Sequence, residues 1–402
     1  MRHRVLLAVP LLGLIGTLQA TQASAQSLVA AVLPTSRSVQ VGSPATAFVT
    51  IINTGNATAS SVGISLQTNI PATFTFQTTD PQTNALTGSP NTPVDIPRNN
   101  GSQSFLISLT PTALIPPTEV AFNFAGTNTS PAPTIVGLNT FLLSASPTRT
   151  PDVIALSSTP SNDGIVNIST VVGSGAFAVA SANVGAGASI TVSADTGTAT
   201  LPVVLNLCQT DPQTAQCTSA IGPTVSTQIN AGATPTFSVF VAGNGFIPFD
   251  PANSRIFVRF KDGQVTRGST SVAVRTNLIG TYEGSGAVTL SSCRLPPNNG
   301  TSSGDFTAEV TSQVGNTIGG TFTVDARGST TRVPFSVTIT PSGDFLSTPV
   351  SFTVFSLGVP IGSGTGTLTG QVTGDTITAS FSGQLQGLEN CNVTGSGTGT
   401  RT

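Results

Sequence analysis

From Thr376 to Leu385 the chain alternates strictly. Ile377, Ala379, Phe381, Gly383 and Leu385 fall on one parity, and Thr376, Thr378, Ser380, Ser382 and Gln384 on the other. A period of two is the geometry of a strand with one apolar and one polar face, whereas helix faces repeat every ~3.6 residues. The same alternation runs through Phe322/Val324/Ala326 and through Val333/Phe335/Val337/Ile339. Charged residues make up only 7% of the chain, so the usual helix formers Glu and Lys are scarce. Ser, Thr, Val, Asn and Gly take their place, as β-strands and turns prefer. The fold class expected is all-β.

Punctuation by Gly, Pro and Asn divides the chain into blocks. Residues 1–25 read as a secretory leader: Arg2, His3 and Arg4, then an apolar stretch from Val5, then Ala23-Ser24-Ala25. That stretch is too short to span a bilayer and is broken by Pro10, Gly13 and Gly16. The expected product is exported, to periplasm, cell surface or medium, with no lipid anchor. Residues 26–146 hold some seven short strands separated by turns, the pattern of an antiparallel sandwich.

Residues 147–277 echo that block. "TDPQT" recurs at Thr79–Thr83 and Thr210–Thr214, "NNGSQSFLISL" is answered by "NAGATPTFSVFV", and "VAFNF" by "IFVRF". The turn "INTGNAT" around Asn53 matches "ADTGTAT", which sets Asn53 against Asp195. "SPTRTPDV" between the blocks reads as a Pro-rich, semi-stiff linker. The strand–Asn-Thr-Gly–strand pattern from Phe48 to Leu66 resembles the immunoglobulin-like modules of secreted bacterial proteins of the cell-adhesion-associated type. That resemblance implies two tandem immunoglobulin-like sandwiches with a binding or spacer role, and brings no catalytic residue with it.

Residues 278–402 have no counterpart upstream. Eight or nine strands joined by short loops close most simply as a small antiparallel up-and-down barrel. "GSGTGT" occurs twice there, at Gly362–Thr367 and Gly395–Thr400. A dinucleotide loop needs G-x-G-x-x-G ahead of a helix and a phosphate loop needs a lysine; neither requirement is met. The glycines instead keep the parity of apolar positions, so they strip one face of a strand of its side chains. "GTY" at Gly280–Tyr282 with Arg401 on the last strand resembles the aromatic–arginine closure of lipocalins, with Tyr in place of Trp. Glycine faces that hollow the barrel would leave a space for an apolar ligand, as in such carriers, lined by Tyr282, Phe322, Phe352, Phe381 and Arg401. The alternative is that the phenylalanines fill the barrel.

Four cysteines in an exported chain make two disulfides, with three possible pairings. Cys208 and Cys217 flank the Asp-Pro turn of "QTDPQTAQ", which pairs them across a hairpin tip and leaves Cys293 for Cys391. One difficulty attends the second pair: Cys293 lies on the polar parity of its strand and Cys391 on the apolar parity, so a bulge, or Cys293 already in the following loop, is required.

Composition closes several chemistries. His3 is the only histidine and leaves with the leader, so no Ser-His or Cys-His arrangement remains. Of 14 basic residues Arg2 and Arg4 also leave, so twelve face 16 acids and the net charge is about −4. Phosphate backbones need the opposite sign, and nucleic acid is not an expected partner. One Tyr, no Trp and a terminal Arg401-Thr402 argue against a membrane-inserted barrel. No cofactor or metal is expected. The expectation is a non-enzymatic surface-binding, adhesive or structural protein whose partner is a protein or glycan. A carrier of a small apolar ligand and a carboxylate-based glycan enzyme are the alternatives.

Overall fold

The computed structural model describes residues 27–326, 329–340, 342–347, 349–356, 358–388 and 390–402; the expected leader lies outside the described residues. Among these residues the regular structure is β throughout, apart from one 3-10 turn at Pro296–Asn298.

In the first body, Leu28–Leu33, Ala45–Asn53, Gly101–Pro111 and Ala72–Thr79 hydrogen-bond in that order. The facing layer has Ser36–Gln40 parallel to Phe141–Ser146, which pairs with Ile115–Val120. After a break at Ala121 it continues through Phe122–Ala125, Ala59–Leu66 and Val94–Ile96. Alternation builds the core between the layers: Ala45, Ala47, Val49 and Ile51 point in, while Thr46 and Thr50 point out. They meet Phe124 and Phe141 from the other layer in a single buried cluster.

The second body repeats this order strand for strand. Val153–Ser158, Ser174–Asn183, Thr236–Gly243 and Val203–Thr210 form one layer. Ile165–Ile168 runs parallel to Val265–Thr276, followed by Arg255–Asp262, Ala188–Asp195 and Thr224–Ile229. The repeat corrects one expected equivalence. Buried Asn53 ends the third strand and donates to the Ala57 and Ile96 carbonyls while Gly55 N–H bonds its side-chain oxygen. Its counterpart is Asn183, which donates to Ala186 and Ile229 and accepts from Gly185. Asp195 instead ends the next strand and pairs with Arg259 at 2.6 Å. The sequence match slid by one strand because "ADTG" imitates "INTG" better than "ANVG" does.

The expected linker is clamped. Asp152 is buried, accepts from Ser38 N–H at 2.8 Å and is ion-paired to Arg37 at 2.9 Å. Thr35 and Ser36 donate to the Ser269 carbonyl across the same junction. A Pro-rich spacer whose acid is held by the Ser36–Gln40 strand is part of the joint.

The third body is a closed barrel of eight strands. They are β1 Gly280–Ser291, β2 Gly300–Val314, β3 Thr317–Ala326, β4 Ser329–Thr338, β5 Val350–Ser356, β6 Val359–Thr373, β7 Thr376–Gly387 and β8 Cys391–Arg401. Each pairs antiparallel with the next, and β8 closes on β1 from Tyr282↔Arg401 to Ser291↔Asn392. A short strand, Asp344–Leu346, covers the part of β6 that β5 does not reach. One barrel end meets the second body, where Arg275 donates to the Gly315 carbonyl and Val171 N–H bonds Asp375.

Candidate functional site

Inside the barrel the glycine runs are seats for rings. Gly362, Gly364 and Gly366 on β6 and Gly395, Gly397 and Gly399 on β8 face inward, and the Ser and Thr between them face out. A Cβ built on Gly397 would sit 2.1 Å from Phe306 Cδ2, one on Gly366 2.5 Å from Phe381 Cε2, and one on Gly364 2.8 Å from Phe352 Cε1. Each phenylalanine therefore occupies the volume a side chain would need. Glycine also lets paired strands approach closely enough to coil into a small barrel. What remains is a space of about 30 Å³ beside Val288, Thr331 and Gly395, room for one water molecule.

The five residues expected to line a ligand space pack on one another or cap the barrel. Phe322 stacks on Phe335 at 4.2 Å and on Phe306 at 5.8 Å, and Phe352 meets Phe381 edge-on at 4.6 Å. Tyr282 is 1% exposed and its hydroxyl donates to the Leu278 carbonyl at 3.0 Å. Burial pushes its phenol up to about 12, since a phenolate would lose its hydration. Arg401 lies 6.0 Å over that ring and donates to the Asn277 and Ile279 carbonyls. Tyr282 and Arg401 thus shut the end of the barrel that faces the second body.

Both disulfides, Cys208–Cys217 and Cys293–Cys391, are formed as expected. Cys293 lies beyond the end of β1, after Ser292 has turned the chain with φ +57°, so the parity conflict resolves in the loop. Disulfides of this kind belong to an oxidising compartment. Among the described residues no helix is long and apolar enough to cross a membrane, and no group of His, Cys, Asp and Glu is disposed to hold a metal.

The outer wall is built from the other parity. Thr367–Ser382–Thr394–Thr289 and Thr369–Ser380–Ser396–Ala287 form rungs across β6, β7, β8 and β1. On the opposite wall a groove of about 480 Å³ runs over β2 to β5, and it has the only aromatic ring on that parity of those strands, Phe355. Sequence reading missed this groove. Its signal is Pro334 in the middle of a strand: the ladder from β4 to β5 runs from Ser329↔Ser356 only to Arg332↔Thr353, while the β4–β3 ladder continues to Thr338. A strand residue without an N–H fits where pairing stops on one side.

Two buried carboxyls also escaped notice. Burial raises Glu119 above the usual carboxylate range, although Thr140 donates to it and Arg259 lies near. Burial likewise raises Asp152, against the pull of Arg37. Both are engaged where the first two bodies meet. No protein-family model matches the chain, and comparison with curated proteins finds no significant match.

Proposed function

We propose that the chain is an exported, non-catalytic binding protein in which two immunoglobulin-like modules carry a solid barrel whose outer wall makes the contact. The packed barrel interior carries this reading. An apolar carrier needs a pocket of roughly 300–1,000 Å³, and the space among the barrel's phenylalanines is about 30 Å³. With the inside occupied, the wall is what the barrel presents. That wall is hydroxyls, amides and a few charges rather than an apolar band, which suits water and not lipid. The immunoglobulin-like reading of the modules draws on their shared strand order, with the opening segment split between layers and its second part parallel to the last strand. The joint at Asp152 holds them as a stiff stalk.

Native mass spectrometry of the chain, expressed with its own leader and recovered from outside the cytoplasm, tests this. The expected mass begins at Gln26, includes two disulfides and carries no small molecule. A retained apolar ligand, or an uncleaved reduced chain in the cytoplasm, overturns the reading.

A further inference from the structure

The groove on the outer wall differs from the rest of the barrel surface in composition. Thr307, Thr323, Arg332 and Thr353 stand side by side on β2, β3, β4 and β5 as one cross-strand rung. Three inter-strand spacings make the rung about 14 Å long. Glu309, Thr321 and Pro334 form the next rung, and Phe355, half-buried, closes the end on β5. The Arg332 guanidinium lies 5.5 Å from the centre of the Phe355 ring. Among the described residues neither Arg332 nor Glu309 has an ion-pair partner.

A ligand for this surface must satisfy a ring, a fork of guanidinium donors, a carboxylate acceptor and four threonine hydroxyls within one concavity. An extended peptide is a poorer fit. Peptides that add to sheets use a free backbone edge, and β2, β3 and β4 are paired with one another along the groove. The one edge that β5 leaves open, on β4 beyond Arg332, is interrupted at once by Pro334, which has no N–H to offer. A sugar chain fits the inventory: its C–H faces stack on an aromatic ring, and its hydroxyls both donate to carboxylate and accept from guanidinium. We propose that the groove is a carbohydrate-binding site for a short oligosaccharide, with Phe355 as stacking platform and Arg332 and Glu309 as the polar clamp. This proposal rests on the outer-wall binding reading and gives it a location and a ligand class.

The full chain, labelled on amines (Lys261, its only lysine, lies in the second body), is applied to an array of defined neutral and uronate-bearing oligosaccharides. Binding to at least one class is expected. Phe355→Leu keeps apolar bulk and removes the ring, and Arg332→Gln removes the fork; each is expected to weaken binding about tenfold or more. Thr398→Ala on the opposite wall is expected to bind as the parent does. Unchanged far-UV circular dichroism and Tyr282 emission show that the variants are folded. No binding to any oligosaccharide, equal binding by Phe355→Leu and Arg332→Gln, or selective binding to extended peptides overturns the site. None of these results touches the outer-wall reading itself, which falls on a retained apolar ligand or on an uncleaved, reduced chain in the cytoplasm.

Discussion

Two glycines of the last strand, two residues apart and both facing inward, are expected to respond to the same substitution with opposite signs. A methyl on Gly397 would lie 2.1 Å from Phe306 Cδ2 and 2.5 Å from Cγ, so either the ring or the strand must move by more than 1 Å to restore ordinary contact. The ring cannot yield freely, because it is 2% exposed, stacked on Phe322 and also lies against Gly399. Overpacking of this kind costs about 1–3 kcal/mol. A methyl on Gly395 would meet nothing closer than the Ala287 carbonyl at 3.6 Å and Val288 at 3.7 Å, beside the small remaining cavity. There, removing a strand glycine is worth about 0.5–1 kcal/mol in favour of the fold. The assay is unusually clean, since Tyr282 is the only tyrosine and there is no tryptophan, so intrinsic emission follows the barrel alone. With a urea slope of about 2 kcal/mol/M, Gly397→Ala should lower the barrel midpoint by about 0.5–1.5 M and Gly395→Ala should raise it slightly. Adding Phe306→Ala to Gly397→Ala should cost clearly less than the two single changes together, because the methyl enters the vacated space. Equal responses at Gly395 and Gly397 would refute the packed interior and reopen the barrel as a container.

Three further outcomes follow from the same geometry. Absorbance at 295 nm should report Tyr282 ionising near pH 12, against about 10 in the unfolded chain. Because the folded phenol holds its proton longer, barrel stability is intact below pH 10 and declines as pH rises from 10 towards 12; a midpoint near 10 in the folded protein contradicts the buried placement. Glu119 is raised by burial, so the folded state also binds its proton more tightly than the unfolded one. Its effect on stability is therefore most favourable at acid pH and diminishes as pH rises through the raised value, and Glu119→Gln should flatten that part of the thermal-stability profile; an unchanged profile counts against it. Finally, Cys293–Cys391 closes a separation of 98 residues and Cys208–Cys217 one of 9. Chain entropy makes the larger loop worth about 2 kcal/mol more, so replacing Cys293 and Cys391 by Ser should shift the barrel midpoint further than the Cys208/Cys217 replacement shifts the second body, with the opposite ranking refuting the estimate.

Alternation made the strands, the barrel closure and the inward parity of Gly362, Gly364 and Gly366 legible, because period two is a local property. Pairings with a large loop between partners were legible only through elimination, as with Cys293 and Cys391. Where register depends on a buried contact the sequence misled. Asn183 is the counterpart of Asn53 because both donate to carbonyls of a neighbouring strand, and no short motif encodes that reach. "SPTRTPDV" has the composition of a free linker, yet Asp152 is captured by Arg37, 115 residues earlier. Phe355 and Arg332 were invisible as a pair because only the ladder between β4 and β5 brings them together.

The two parities of the barrel are consequences of one constraint. A small closed sheet with so many large rings inside must give up side chains opposite them, and glycine on alternate positions does this without breaking the strand. Between those glycines only the outward positions remain available to carry chemistry. On β6 from Ser363 onward, and along β7 and β8, they are filled by Ser, Thr, Gln and Asn, which carry no charge and no aromatic ring. On β2 to β5 the inward positions are mostly apolar side chains such as Phe306, Phe322, Val333 and Phe352 rather than glycines. The outward positions there admit Glu309, Arg332 and Phe355. The wall with recognition chemistry is thus the wall opposite the glycine strands, so substitutions in "GSGTGT" should alter barrel stability while leaving the groove's ligand preference as it was.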